Sequence, residues 1–333
     1  MDWDKGFTSE YFARFVDPTT FRSLGRFEIT GGKINETETD LRESADIDCK
    51  GYSAGERWIR IYLNAKQRGN AEPTALFTGL SSSPDTNIYG IVKTNTVKLY
   101  SVLKPADDVL LPLGWYAPQG MQGAEIIKSL LSVIPAPVII DDGSPALVEA
   151  IIAEDEETRL TMTDKILKAI GWRLKIDGYG TVRVCPKASK PSASFGATIS
   201  DVIEKQLKIS VDWYECPNVF RAVSDDQSAI ARDEDEDSPL SIPNRGREVW
   251  MQETSCDLND GETIAEYSMR RLKEEQQYAV LASYDRRYHP DVKPTDIVRL
   301  NYPAQGLVGD YMVTSQSVTL GHGCTTSEEV VKV

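Results

Sequence analysis

The stretch Pro294-Thr-Asp-Ile-Val-Arg-Leu-Asn-Tyr-Pro-Ala-Gln-Gly-Leu-Val-Gly-Asp-Tyr-Met-Val-Thr-Ser-Gln-Ser-Val-Thr-Leu320 predicts two strands joined by a turn, since β-rich runs flank its Pro and Gly residues. It contains no obvious nucleophile, no set of metal ligands and no phosphate-binding loop. Only a short tail follows it. A regular hairpin without chemistry is expected either at the edge of an enzyme domain or in a barrel that is built into a larger assembly.

The first hundred residues also have the pattern of β structure. Alternating runs and runs of β-branched and aromatic residues are separated by turn clusters rich in Gly, Ser, Asn and Pro. Several short strands at regular spacing predict an antiparallel barrel or sandwich. The runs lie at residues 26–34, 44–49, 58–63, 75–80, 87–92 and 96–103.

The middle of the chain predicts a small α+β unit. Residues 122–134 have a helical period that places five apolar side chains on one face. A second helix is expected at 161–171, with Thr161 as its N-cap and Gly171 just past its end. A hairpin with Asp177-Gly178 at its turn follows. The Pro/Ser-rich residues 187–194 predict a linker.

The last third is mostly β again. Strands are expected at residues 217–223, 247–251 and 278–284. One helix interrupts them at 260–276, with a cap at Asp260, an acidic first turn and basic residues later. One side of this helix is formed by Ile264, Tyr267, Ser268 and Arg271, with Leu272 adjoining.

Two parts of the chain are weakly alike in pattern. The run Arg57-Trp-Ile-Arg-Ile-Tyr-Leu63 resembles Asp296-Ile-Val-Arg-Leu-Asn-Tyr302. The run Ala75-Leu-Phe-Thr-Gly-Leu-Ser81 resembles Tyr311-Met-Val-Thr-Ser-Gln-Ser317. Each pair is a strand with an Arg, followed by a strand that runs into Thr and Ser. The likeness is compatible with two barrels separated by an insert.

The composition limits the function classes. The 333 residues include 51 Asp and Glu against 37 Lys and Arg, a formal net charge of −14, which argues against a protein that grips nucleic-acid phosphates. No apolar run reaches the roughly 18 residues of a transmembrane helix. The N-terminus lacks the pattern of a secretory signal, so assembly in the cytoplasm of the producing cell is expected. The five dispersed cysteines form no CxxC pair and predict reduced structural thiols.

Few residues could support catalysis. His289 and His322 have no local partner that suggests a triad or a metal site. The acidic run 233–237 resembles the start of a calcium loop, but Ser238 and Asn244 stand where a Gly and a bidentate Glu are required. A solvated loop is the preferred interpretation. The many acids leave a glycosidase pair possible, yet we predict no catalytic, cofactor-binding or metal-binding residue.

One aromatic loop differs from the other aromatic positions. Large aromatic side chains usually belong to the core, and this applies to Trp58, Trp115, Tyr116, Trp213, Tyr214 and Trp250. The segment Leu113-Gly-Trp-Tyr-Ala-Pro-Gln-Gly-Met121, however, lies between a β region and a helix. Because aromatic residues and Met are enriched in interface cores, this loop is a candidate contact surface.

Several segments occur in an order that covers nearly the whole chain. They are Phe15-Val-Asp-Pro-Thr-Thr-Phe21, Gly31-Gly-Lys-Ile34, Thr39-Asp-Leu-Arg-Glu-Ser-Ala-Asp-Ile47, Trp58-Ile-Arg-Ile-Tyr-Leu63, Ile166-Leu-Lys-Ala-Ile-Gly-Trp-Arg-Leu174, Asp177-Gly-Tyr-Gly-Thr-Val182, Cys216-Pro-Asn-Val-Phe-Arg-Ala222, Asp296-Ile-Val-Arg-Leu300 and Gly306-Leu-Val-Gly-Asp-Tyr-Met-Val313. Their order resembles the baseplate or tail-tip hub of phages and phage-derived contractile particles. It is most similar to hubs of contractile tails from Gram-positive hosts, including defective prophages and R-type bacteriocins.

The resemblance implies a mainly β fold with an α+β insert, in which two antiparallel β-barrels form a phage tail hub-like architecture. The expected parts are a first β-barrel at residues 1–110, the insert at 111–190, and a second β-barrel with one helix and a C-terminal tail at 191–333. Three copies would form a ring around a central channel and join a sixfold tail tube to a threefold spike. The protein would then be a non-enzymatic component of a virion or phage-like particle.

The resemblance also implies partners. They are further copies in a homotrimer, a tail tube or tube-initiator protein, a central spike protein, a tape-measure protein and baseplate wedge proteins. Neither sequence-specific nucleic-acid binding nor membrane insertion is expected, and no cofactor is implied. The candidate interface residues are Trp115, Tyr116 and Met121 in the aromatic loop, Asp296, Arg299 and Tyr311 in the closing hairpin, and His322 in the tail.

The chain end and the charge give two further expectations. Many hubs of long non-contractile tails continue into a fibre or a hydrolase, whereas this chain stops soon after the second barrel, which favours a separate spike that contacts the tail after Gly321. Three acidic copies around a channel would make its wall repel DNA or tape-measure protein. The alternatives are a tail-associated cell-wall hydrolase and a carbohydrate-binding tail-tip protein.

Overall fold

Strands dominate the computed structural model, which confirms the predicted mainly β fold. It describes residues 1–3, 5–50, 55–82, 85–89, 92–196, 203–211, 214, 216–224, 227–254, 256, 258, 262–277 and 280–333. The predicted helix cap Asp260 and the aromatic Trp213 therefore lie outside the described residues. Within the described part, no helix combines the length and apolar character needed to cross a membrane.

The N-terminal part is a ring of strands, called here the first β unit. Its strands are β1 (Thr8–Val16), β2 (Ser23–Thr37), β3 (Glu43–Lys50), β4 (Trp58–Gln67), β5 (Asn70–Ser81), β6 (Asp85–Tyr89) and β7 (Val92–Ser101). Antiparallel pairing runs in the order β1-β4-β5-β7-β3-β2 and returns to β1. Alternate residues point into the ring, as Ile59, Ile61 and Leu63 of β4 show, and enclose an apolar core.

The insert packs its helices on short strands. Its elements are α1 (Lys104–Asp108), β8 (Tyr116–Ala117), α2 (Gly123–Leu130), β9 (Val138–Ile140), β10 (Ile151–Ile152), α3 (Arg159–Ala169), β11 (Trp172–Ile176) and β12 (Val182–Pro186). All five residues on the predicted apolar face of the first helix are buried, namely Ile126, Ile127, Leu130, Leu131 and Ile134. The predicted hairpin is formed by β11 and β12.

The second predicted helix starts earlier than expected. The N-cap is Thr158 rather than Thr161, because the two threonines form a capping box in which each side chain bonds the other's backbone N–H. Thr161 therefore occupies the third helical position. Gly171 follows the helix in a left-handed conformation, as predicted, with a φ of 65°.

The C-terminal half combines a second set of strands with a smaller sheet. The elements are β13 (Pro191–Gly196), β14 (Ile203–Val211), β15 (Val219–Ser224), β16 (Gln227–Arg232), α4 (Ile242–Arg245), β17 (Trp250–Thr254), α5 (Ile264–Gln277), β18 (Val280–Arg287), β19 (Ile297–Tyr302), β20 (Leu307–Thr319) and β21 (Thr325–Lys332). Strands β16-β15-β17 and helix α5 enclose a small core that includes Phe220, Tyr267 and Leu272. The other six strands form what is called here the second β unit.

Two expectations about the second β unit are wrong. The predicted linker 187–194 includes the start of β13, which pairs with β19 in parallel rather than antiparallel orientation. The predicted C-terminal tail contains β21, which pairs with β18 on one edge and β20 on the other. Its side chains Val330 and Val331 are buried, so this segment is part of the sheet. The closing hairpin is confirmed, because β19 and β20 pair antiparallel from Ile297↔Met312 to Tyr302↔Leu307.

The two β units share one strand order. The hydrogen-bonded order is β1-β4-β5-β7-β3-β2 in the first unit and β13-β19-β20-β21-β18-β14 in the second. Six strands of the first unit therefore each have a counterpart in the second that occupies the same place along the chain, and β6 lies off this path. The weak sequence likeness falls on the counterpart strands β4 and β19, and β5 and β20. Pairing closes the first unit, whereas no pairing among the described residues joins β13 to β14.

The units are joined by a continuous ladder. The C-terminal half of β2 pairs antiparallel with the C-terminal half of β20, from Lys33↔Thr319 to Thr37↔Ser315. The pairing places both units in one 13-stranded sheet. We call the region around this ladder the waist.

Candidate interface surfaces

The described residues do not form a recognisable metal site. No group of three or more His, Cys, Asp or Glu side chains there has the geometry to hold a metal ion. In the acidic loop, the Asp233 carboxylate accepts hydrogen bonds from Ser238 Oγ at 2.7 Å and Gln276 Nε2 at 2.9 Å. This carboxylate therefore holds its loop against α5. The candidate functional features are surfaces between parts of the chain or between proteins.

The aromatic loop exposes an apolar surface on the insert. Tyr116 lies opposite Ile152 in the two-stranded pairing of β8 with β10. Met121 is held nearby, because its carbonyl accepts from Leu147 N at 2.8 Å. We call the exposed side chains the insert patch: Leu113 (88% exposed), Tyr116 (56%), Met121 (46%), Val148 (52%) and Ile152 (69%). Exposed apolar side chains that share one surface are typical of a binding site.

Trp115, the other predicted residue of the loop, lies largely inside. It is partly buried and packs against the insert core. Its backbone carbonyl accepts from Ala153 N at 3.0 Å, which fixes the loop to the strand opposite. Trp115 therefore packs against the core beneath the insert patch, whereas the side chains of Tyr116 and Met121 belong to its exposed surface.

Two predicted residues of the closing hairpin are buried within the chain. The carboxylate of Asp296 accepts from Arg173 Nη1 at 3.0 Å and from Lys175 Nζ at 2.8 Å. It therefore ties the second β unit to strand β11 of the insert. Tyr311 is 2% exposed and belongs to the core of the second unit, where burial raises the pKa of its phenol. Neither side chain is accessible to another protein in this conformation.

The remaining two predicted residues are exposed. Arg299 forms a bidentate pair with Asp310, with Nε–Oδ1 and Nη2–Oδ2 distances of 2.7 and 2.9 Å. This hydrogen bond lowers the pKa of Asp310. His322 lies in the turn between β20 and β21. The preceding carbonyl, Gly321 O, accepts from Ser9 Oγ and Tyr11 OH, so the turn rests on strand β1.

A buried polar cluster at the waist was not foreseen from the sequence. We call it the waist cluster: Glu36, Glu43, Arg286, Lys293, Gln316 and Glu328. Lys293 forms an ion pair with Glu36, which also accepts from Gln316 Nε2. Arg286 and Glu328 form a second pair in which both side chains are fully buried. Such pairs are costly to desolvate and strongly destabilising when one partner is removed.

The two carboxylates on β2 and β3 share this cluster. Glu36 and Glu43 are directly opposite in the β2–β3 register. Burial, and next the charge of Glu36, raise the pKa of Glu43 well above its ordinary value. One Glu43 carboxylate oxygen has no hydrogen-bond partner among the described residues. The sequence signal available was the pair of acids flanking the turn between β2 and β3, but nothing in it indicates burial.

The opposite face of the waist forms an open groove of about 900 Å³. Small polar side chains of adjacent strands line it in rows, such as Asn35–Ser317–Ser327–Asp285. Ser315 Oγ donates to Glu329 at 2.9 Å. We call this surface, with Asn35, Asp285, Ser315, Ser317, Ser327 and Glu329, the waist groove. Lys208 of β14 also lines the groove, so its charged side chains include an ammonium group beside the carboxylates of Asp285 and Glu329.

Comparison with known proteins gives a match in fold but not in sequence family. No protein-family model and no curated protein matches the chain. Solved structures match over nearly the full length. A tail protein from Neisseria meningitidis is 14% identical, with 98% of this chain and 97% of that chain covered and a TM-score of 0.72.

Two further structures agree. A prophage MuSo2 tail protein of 43 kDa from Shewanella oneidensis is 14% identical over 97% of this chain and 98% of that chain, with a TM-score of 0.69. An Escherichia coli component of the type VI secretion system, described as similar to bacteriophage T4 tail proteins, is 9% identical over 92% of this chain and 74% of that chain, with a TM-score of 0.55. The chain therefore has the fold of phage tail proteins, as the resemblance predicted.

Proposed function

We propose that this protein is the structural hub of a phage or phage-like tail baseplate, of the contractile type that the sequence resemblance implies. Three copies form a ring around the channel and adapt a sixfold tail tube to a threefold spike. The parts remain those expected from the sequence, with boundaries near residues 110 and 190. The protein works through its interfaces rather than through catalysis.

The observation that carries this proposal is the repeated strand order. Each chain supplies two β units with the same order of six strands, although β13 pairs with β19 in parallel where β1 pairs with β4 antiparallel. A closed ring of three identical copies then presents six similar units, while the contacts on its other face keep threefold symmetry. A single-unit protein would need six copies to meet a sixfold tube. The match to phage tail folds over nearly the full length supports the same interpretation.

The exposed surfaces are assigned accordingly. The insert patch and the exposed turn at His322 are candidate contacts to spike, tube, tape-measure or wedge proteins, because they are accessible in the single chain. Asp296 and Tyr311 act inside the chain and are not assigned to a partner. The waist groove is the candidate channel wall, where the carboxylates of Asp285 and Glu329 would repel DNA.

The oligomeric state tests the central part of the proposal. Mass photometry of the full chain, alone and mixed with its spike and tube proteins, should show a particle with three times the mass of the chain. A monomer under all these conditions would contradict the hub. The channel wall is tested separately: trimers that carry Asp285→Lys and Glu329→Lys should bind DNA at low salt, whereas wild-type trimers should not. DNA binding by the wild type would exclude a repelling wall.

A further inference from the structure

The ladder at the waist shows how two β units can be joined. Five residues of β2, Lys33 to Thr37, pair with five residues of β20. The joint includes a side-chain bond, Ser317 Oγ to Asn35 Oδ1 at 2.8 Å. Backbone hydrogen bonding of this kind requires only an accessible strand edge on each partner.

The strand order identifies the counterparts of this joint. Strand β14 is the counterpart of β2, because each is the second strand of its unit along the chain and pairs with the third, β18 and β3 respectively. The counterpart of the second half of β20 is β6. In the first unit, β5 and then β6 pair with the same edge of β7. In the second unit, the one long strand β20 pairs along the equivalent edge of β21, so its second half takes the place of β6.

Both counterparts present an edge that the described residues do not pair. Within those residues, β14 pairs only with β18, and β6 pairs only with β7. Each edge strand also exposes an isoleucine, Ile209 at 43% and Ile88 at 62%. Long edges with exposed apolar residues tend to associate with another strand, and proteins normally cover them. Strand β6 has five residues, the same number that β20 uses in the waist ladder.

We propose that β14 of one copy pairs antiparallel with β6 of the next copy, repeating between copies the joint that β2 and β20 make within the chain. This inference rests on the proposed ring. Each copy contributes β14 to one neighbouring copy and β6 to the other, so the contact is head-to-tail. Such contacts form a closed ring when the rotation from one copy to the next completes a full circle. In a ring of three copies, within-chain joints and between-chain joints alternate, and all six β units are linked by strand pairing.

Disulfide trapping tests the contact directly. One chain carries Ile88→Cys and a second carries Cys at position 208, 209 or 210, all with Cys256→Ser, since the other native cysteines are buried. Mild oxidation of the mixture should give a covalent dimer for at least one position. A chain with both cysteines should give a covalent trimer. Ile230→Cys is the matched control, because Ile230 is a similarly exposed strand residue of β16, at 50%, and should not form a crosslink with position 88.

Charge placed on each edge gives a second measurement. Ile88→Lys and Ile209→Lys should each weaken trimer formation by about tenfold or more, because the lysine must be desolvated at the joint. Ile230→Lys should assemble like the wild type. Sedimentation velocity over a concentration series measures the shift, and far-UV circular dichroism checks that each variant is folded.

The outcomes separate this inference from the hub proposal. If the wild type forms trimers but no pair of positions crosslinks and both lysine variants assemble normally, the β14–β6 joint is wrong and the hub proposal stands. If the wild type stays monomeric alone and with spike and tube, both are wrong. Crosslinks at the proposed positions together with weakened lysine variants support both.

Discussion

Arg60 and Arg299 lie on counterpart strands of the two β units, yet their surroundings are opposite. Arg60 is 6% exposed, and its guanidinium donates to Thr78 Oγ1 and to the Tyr179 carbonyl, both at 2.8 Å. Arg299 is exposed and forms an ion pair with Asp310 on the neighbouring strand. The same residue in the same strand position is a structural anchor in one unit and a surface charge in the other.

The insert is the cause of this difference. The turn between β11 and β12 rests on the first unit, where Thr78 Oγ1 donates to the Gly178 carbonyl at 2.8 Å. A Cβ on Gly178 would lie 1.9 Å from the Ala75 carbonyl oxygen, so only glycine fits at this contact. The insert thus covers one face of the first unit. Strand order alone does not decide which face of a repeated unit remains open to partners.

The interiors of the two regions differ as well. The first unit has an apolar core with Ile34, Ile47 and Phe77 fully buried. The waist has charged pairs instead, with Arg286 and Glu328 fully buried. An apolar core tolerates similar substitutions, whereas a buried pair depends on both partners. The largest mutational effects are therefore expected at the waist.

Removal of Arg286 should give the largest loss of stability. Arg286→Met leaves Glu328 as an uncompensated buried charge, and the free energy of unfolding should fall by about 3–5 kcal/mol. Urea unfolding at pH 7 measures the change. The double variant Arg286→Met/Glu328→Leu should recover most of the loss, because neither member of this pair then leaves an unpaired buried charge. A single variant as stable as the wild type would contradict the buried pair.

Alanine at the two counterpart arginines tests the opening comparison. Arg60→Ala removes buried, charge-assisted bonds to Thr78 and Tyr179, and the free energy of unfolding should fall by about 2–3 kcal/mol. Arg299→Ala should change stability little, because exposed ion pairs contribute little. Thermal and urea unfolding of both variants would measure the contrast. Equal losses would mean that the insert does not determine the role of Arg60.

The sequence indicated most of the elements but not their roles at the waist. Hydrophobic periodicity identified the strands of the first unit apart from β1, and the apolar face of α2, since those side chains face a continuous core. It also suggested the counterpart strands β4 and β19. Asp296 was expected to contact another protein. Within the chain it bonds to Arg173 and Lys175, which are more than one hundred residues away, so the sequence around Asp296 does not indicate them. Contacts at such a distance leave no local pattern.

Several strands were not predicted, among them β1, β13, β14, β16 and β21. For β21 and β13 the structure shows the physical reason. Strand β21 reads as a polar tail because Glu328 occupies an inward position, where Arg286 neutralises it, and so breaks the apolar alternation. Strand β13 reads as a linker because it is rich in Pro and Ser, although Phe195 is buried in the core of the second unit. Tyr311 was expected at an interface, although it is one of the buried side chains that β20 directs into that core.

The buried carboxyl of Glu43 at the waist should also give stability a pH dependence. Because the folded-state pKa of Glu43 is raised, the folded protein binds this proton more tightly than the unfolded chain does. Its stabilising contribution is present below the ordinary value of 4.5 and is lost as the pH rises through the folded-state pKa. Glu43→Gln keeps the neutral form, so its stability should decline less with pH.

Urea unfolding from pH 4.5 upward compares Glu43→Gln with the wild type. At pH 8 the free energy of unfolding of the variant should be at least that of the wild type. The difference in favour of the variant should be about 1 kcal/mol or more for each unit by which folding raises the pKa of Glu43. Glu234→Gln, in an exposed loop, is the matched control and should follow the wild-type curve. If the free energies of unfolding of Glu43→Gln and the wild type change with pH in the same way, ionisation of Glu43 does not destabilise the folded protein and the prediction is wrong.

The smallest effect on stability is expected at the insert patch, which contrasts with the buried side of the same insert. Tyr116→Ser/Ile152→Thr should change the free energy of unfolding by about 0.5 kcal/mol or less, because both side chains already face solvent. Leu160→Ala, in the insert core, should cost about 2–5 kcal/mol.

If the patch binds another tail protein, the double variant should fold and form trimers normally but enter assembled particles less efficiently, as measured by immunoblotting of purified particles. Normal incorporation would show that the patch is not a required contact, whereas a large loss of stability would show that its residues belong to the fold.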